Sequence, residues 1–291
     1  MTGVSECSQQ RGNLKDDGYN EIGKYMDNKS LNFNSNTIPN NQEVFIPGGQ
    51  SLSSTEGMEW ISQAWSLVKC KLGMWILLSI IYFIIISGLQ LIPFLGIFTG
   101  ILGSVLAGGI IALCEKQRTT GEFEFGLLFS GFQKNFASLL GVGALSFGIM
   151  ILGIIAMFIT GGNAVINIFL ASQSGEIPVD IFLGDLSPLF LSFFILFIFS
   201  IIAAALTWFA PALIILHNLK FGAAVSMSLE AVKKNLLPGL LFFSLFGLMM
   251  VLSIVTLGLG LLVSIPIYFA SYYSSYRSIF IGKEKSSTLV N

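Results

Sequence analysis

The chain has 291 residues, of which only 11% are charged and 54% hydrophobic, and its mean hydropathy is +0.79. A soluble domain carries about a quarter charged residues, so water is excluded as the main solvent. The net charge of -1 excludes an electrostatic case for nucleic acid or for an acidic partner.

Met1 to Gly57 is polar and Asn-rich, with too little apolar area to offset the entropy of ordering, and is expected to be a disordered cytoplasmic tail. The Asn28-Lys29-Ser30 sequon in it reads as a chance match. Its first twenty positions lack the apolar run of a cleavable signal, so the first membrane helix is expected to direct insertion.

A helix crossing a hydrocarbon core of about 30 Å needs roughly 20 apolar residues. Six uncharged stretches meet that need: 74–92, 94–114, 139–160, 189–209, 236–255 and 257–276. Pro93 parts the first pair and Thr256 to Gly260 the last, which predicts tight hairpins. The expected fold is an all-α integral membrane protein of six transmembrane helices in three hairpins, spanning 58–281, with a short cytoplasmic tail over 282–291.

All 15 Lys and Arg residues precede the first span, lie in the loops after the second and fourth, or follow the sixth. The connection over 161–188 has acidic residues only. By the positive-inside rule both termini are expected in the cytoplasm. Trp60, Trp65, Trp75, Trp208, Tyr268, Tyr272, Tyr273 and Tyr276 map to the same side as an aromatic belt. Cys7, Cys70 and Cys114 fall there too, without metal-ligand spacing, and are expected to be free thiols.

An internal repeat precedes alternate spans. Ile61, Trp65, Val68 and Leu72 recur at helical spacing, as do Phe125, Phe129, Phe132 and Phe136, and then Val225, Leu229, Val232 and Leu236. Each stripe ends in basic character, at Lys71, Lys134-Asn135 and Lys233-Lys234-Asn235. The pattern predicts three short amphipathic helices in the inner interface, each feeding a hairpin.

The segments Glu59 to Val68, Leu128 to Asn135, Trp208 to Ile214 and Lys233 to Pro238 carry a resemblance. Together they resemble a family of uncharacterised bacterial inner-membrane proteins, described only as hypothetical transmembrane proteins. The resemblance covers about Gly57 to Ile281 and implies a multi-pass protein of the bacterial inner membrane, with no site residue to carry over. Gly73 stands where the family often has proline.

Four constellations bear on function. Gly96, Gly100, Ser104 and Gly108 form a small-residue face for close helix packing, within the bundle or between copies. Lys134, Asn135, Lys234 and Asn235 recur at equivalent places and suit contacts to anionic lipid headgroups. Glu115 and the single histidine, His217, sit at cytoplasmic span ends as an interfacial pair or an acid-base pair. Pro211 and Pro266 free backbone carbonyls that could line a cavity.

No Gly-x-Ser-x-Gly, P-loop or metal cluster occurs, so no cofactor is expected and an enzyme is the weakest reading. The leading reading is a non-enzymatic membrane protein that organises lipids or partner proteins, itself included. The alternative is a transporter or channel for an apolar or zwitterionic solute, with Ser200, Thr207, Ser253 and Ser264 as lining residues.

Overall fold

The computed structural model of the chain describes residues 43–92, 95–173 and 179–283. Those residues are nearly all helical. The helices are α1 (Glu56–Lys69), α2 (Leu72–Leu91), α3 (Leu95–Thr120), α4 (Ser130–Gln133), α5 (Phe136–Gln173), α6 (Val179–Thr207), α7 (Ala210–His217), α8 (Phe221–Lys234), α9 (Leu236–Val255) and α10 (Leu261–Phe280). A 3-10 turn over Phe125–Phe129 precedes α4, and two short strands, β1 (Glu43–Phe45) and β2 (Ile281–Lys283), pair antiparallel.

Five helical stretches are long and apolar enough to cross a membrane, which fits a multi-pass membrane protein. Helix α10 is not among them. Its second half reads Ser271, Tyr272, Tyr273, Ser274, Ser275, Tyr276, Arg277, and most of these side chains are buried against neighbouring helices. Helix α3 is central: 44% of its most apolar window is buried, against 11–17% in the other four. The low values elsewhere follow from the solvent these helices are built for, since apolar flanks can stay in contact with lipid chains.

Several expectations need correction. The tail expected to be disordered to Gly57 is ordered from Glu43, because β1 pairs with β2 and the chain then continues along α8 and α10. Residues 1–42 and the Pro93 turn lie outside the described residues. The connection expected over 161–188 is largely helix, as α5 runs to Gln173 and α6 starts at Val179 with Pro188 inside it. At 1.5 Å per residue, the 38 residues of α5 extend over about 57 Å, well beyond a hydrocarbon core.

Helices α5 and α6 pack antiparallel, with Gly161 against Ser192 and Gly153 against Phe199. Thr160 and Ser192 share a hydroxyl hydrogen bond of 3.0 Å across the pair.

Pro211 does not kink a continuous span. Helix α6 ends at Thr207, and α7 restarts with Pro211 in its first turn, where the missing N–H costs nothing. The break is closed from outside: the Ser228 hydroxyl of α8 accepts from the Phe209 N–H at 3.0 Å and donates to the Ala205 carbonyl at 3.2 Å. Residues 256–260 form a turn between α9 and α10, with Leu257 and Gly258 both at positive φ.

The amphipathic stripes have the expected period and a different face inward. In α1 the buried side is Gly57, Trp60, Ala64 and Val68, while Trp65 is 41% exposed. In α8 it is Ala224, Ser228 and Ala231. Phe129, Phe132 and Phe136 are exposed, and a 3-10 turn plus a four-residue helix replaces the expected amphipathic helix. Small residues allow close helix approach inside, and large apolar ones remain toward lipid. The aromatic belt is corrected for the same reason, because Trp60, Trp75, Tyr273 and Tyr276 are buried core residues. Trp75 Nε1 donates to Gln117 Oε1 at 3.0 Å, and Gln117 Nε2 donates to the Leu67 carbonyl, joining α1, α2 and α3.

Candidate functional site

A cavity of about 270 Å³ lies among α2, α3, α5, α10 and the break before α7. Its wall combines small residues of α3 and α5 (Gly100, Gly103, Ser104, Gly143, Ser146) with a larger set from the other side (Tyr82, Thr207, Trp208, Pro211, Tyr268, Tyr272). No Asp, Glu, Lys, Arg or His lines it among the described residues. Trp208 meets Tyr268 and Tyr272 edge-on, at interplanar angles of 74° and 80°.

The glycines create the space. A Cβ built at Gly103 would meet nothing within 4 Å, whereas one at Gly143 would run into the Ile101 carbonyl. Among the described residues, none pairs with the Trp208 N–H or with the hydroxyls of Tyr82, Tyr268 and Tyr272. The wall therefore offers polar groups to a guest while remaining uncharged.

Of the residues expected to line a cavity, Thr207 and Pro211 do so. Ser253 and Ser264 bond each other at 2.7 Å, Ser200 donates to the Phe197 carbonyl, and Pro266 is buried in α10 away from the wall. The small-residue face is used inside the bundle. Ser104 Oγ donates to the Leu139 carbonyl of α5 at 2.7 Å, Gly108 faces Leu139 and Ile215, and Gly100 faces Phe147. Nothing is described for the surroundings of Gly96.

A second polar centre lies where α3, α7 and α10 end. Arg118 Nη2 donates to Glu115 Oε1 at 2.7 Å, and Arg118 Nε donates to the Tyr273 hydroxyl at 2.9 Å. Tyr273 in turn donates to Glu115 Oε2 at 2.5 Å. His217 Nε2 bonds the Tyr276 hydroxyl at 2.5 Å, and Phe45 of β1 covers the imidazole with ring centroids 3.9 Å apart. Glu115 and His217 thus belong to one cluster, yet each is bound to a different tyrosine one helical turn apart.

Glu43 of β1 completes this centre. Its carboxylate accepts two hydrogen bonds from Arg277, at 2.6 and 3.1 Å, and two from Arg118, at 3.3 and 3.4 Å. The Arg277 hydrogen bonds and the two positive charges hold the Glu43 carboxyl below the usual range, against a smaller opposing effect of burial. Nothing in the sequence marked Glu43, which sits alone in the polar tail.

The residues suited to lipid headgroups are mostly engaged within the protein. Asn135 Nδ2 donates to the Ile214 carbonyl and to Asn218 Oδ1. Asn235 accepts from Leu52 N and donates to the Gln50 carbonyl, while Lys234 pairs with Glu230 and donates to the Gly48 and Gly49 carbonyls. The Lys134 side chain alone of the four has no hydrogen-bond or ion-pair partner among the described residues. Cys114 is a buried free thiol, as expected, and Cys7 lies outside the described residues.

No family model, curated protein or solved structure matches the chain. Fold and site are therefore the basis for a functional reading: a helical protein with several apolar helices of membrane-crossing length and an uncharged cavity among its helices.

Proposed function

We propose that this is a non-enzymatic multi-pass protein of a bacterial inner membrane, which binds an apolar or zwitterionic small amphiphile inside its helical bundle. Six crossings in three hairpins, with α10 as the sixth and both termini cytoplasmic, are part of the proposal. Support for the orientation is the confinement of Lys and Arg to one side.

The observation that carries the reading is the cavity with unpartnered phenol and indole donors and no charged wall residue. Such a wall gives a polar guest group hydrogen bonds without the cost of dehydrating a buried charge, and its aromatic faces suit an apolar or cationic moiety. Transport or sequestration of that guest both follow from the same site. Organisation of partner proteins through the Gly96 to Gly108 face has less support, because Ser104 and Gly108 already pack on α5.

Gly103→Leu tests the reading, since Gly103 lines the cavity and a Cβ there has open space around it. Small amphiphiles that co-purify with the wild-type chain should be lost from this variant at unchanged thermal stability. An identical set of bound molecules in both would refute it.

A further inference from the structure

Two arginines from different helices converge on a carboxylate that arrives from a separate segment. Arg118 ends α3, Arg277 ends α10, and Glu43 comes from β1, more than two hundred positions before Arg277. Arg277 grips the carboxylate in a fork, at 2.6 and 3.1 Å, but the Arg118 fork reaches the same two oxygens only at 3.3 and 3.4 Å.

The two carboxylate oxygens serve both forks only with the Arg118 fork held at the longer distances, whereas the tetrahedral oxygens of a phosphate can offer each guanidinium its own pair. Once Glu43 withdraws, two guanidinium charges face the one remaining carboxylate, Glu115, and a single positive charge is left for a singly charged anion to neutralise. All three charged side chains of the Glu43 pairings are partly exposed, so the site opens to solvent.

We propose that Arg118 and Arg277 form a binding site for a singly charged phosphate group, and that Glu43 on strand β1 occupies it as a tethered stand-in. Displacement of Glu43 loosens the end of a strap that keeps other ties, among them Phe45 against the rings of His217 and Phe280. The rest include the pairing with β2, the bond from Ile46 N to the Phe280 carbonyl, the Gln50 contacts to α10 and the contacts of Lys234 and Asn235 at the end of α8. The phosphate is either that of a lipid headgroup, at the depth where α3 and α10 end, or that of a soluble ion. This site is separate from the cavity, and Gly103→Leu is expected to leave it unchanged.

The test uses the full chain in detergent micelles, with Glu43→Gln to remove the competing charge. Inorganic phosphate followed by calorimetry, or phosphatidylglycerol in mixed micelles followed by native mass spectrometry, should bind Glu43→Gln about tenfold more tightly than wild type, the gain expected from losing about one charge-assisted contact. Adding Arg277→Gln should abolish the gain. A gain with both probes assigns the site to phosphate in general, and a gain with the lipid alone assigns it to a headgroup. No gain with either overturns the proposal. Should Glu43→Gln fail to fold, the wild-type chain decides: amide exchange over Glu43–Phe45 should rise when phosphate replaces chloride at equal ionic strength, and unchanged exchange overturns the proposal.

Discussion

The hydroxyl of Ser228 stands inside the backbone ladder of a different helix segment, accepting the Phe209 N–H at 3.0 Å and donating to the Ala205 carbonyl that this N–H would otherwise reach. An inserted side chain is a recognised cause of a helix break. Here it fixes the point where α6 gives way to α7, beside the cavity wall at Thr207, Trp208 and Pro211. Ser228→Ala should leave that N–H and carbonyl unpaired in a dry site and lower stability by about 1–3 kcal/mol. Thermal unfolding in detergent measures the loss, and an unchanged midpoint would mean that the ladder recloses without the hydroxyl.

Close backbone approach predicts a sharp contrast among glycines of α3 and its partner segments. A Cβ at Gly109 would lie 1.9 Å from the Leu128 carbonyl oxygen, and one at Gly131 would lie 2.2 Å from the Val105 carbonyl oxygen, so neither neighbour can yield by rotating a side chain. Gly109→Ala and Gly131→Ala should each destabilise by at least about 1–3 kcal/mol. Gly103→Ala meets nothing and should be neutral or stabilising by about 0.5–1 kcal/mol through helix propensity. Equal midpoints for the three variants would refute this packing.

Docking of the β1 strap should depend on pH in a defined sense. The folded Glu43 carboxyl titrates below its ordinary value near 4.5, so its contribution is present in full above that value and is lost as pH falls through the lowered folded value. Protease protection of the strap should therefore persist at neutral and mildly acidic pH and fail only in stronger acid. In Glu43→Gln that acid-dependent step should disappear, and its survival would assign it to another group.

Topology gives the broadest prediction. Reporter tags fused after Asn291 and inserted within 161–188 should report opposite compartments, and a shared compartment would sink the orientation. Cys70 supplies a second check: alkylation in native membranes without prior reduction agrees with a cytoplasmic placement, and modification only after reduction contradicts it.

Composition and period alone determined that this chain is helical and built for a membrane, since uncharged runs of span length admit few other structures, and they found the 256–260 turn and a small-residue face on α3. Which side of each amphipathic helix turns inward depended on neighbours. In lipid a small side chain permits close approach and a large apolar one has no need of burial, so Ala64, Ser228 and Ala231 face in while Trp65 and Phe132 stay out. The cavity, the Ser228 insertion and the grip of Arg118 and Arg277 on Glu43 are meetings of residues far apart in the chain. No local pattern encodes such meetings, because their geometry exists only once α3, α7, α8 and α10 have packed.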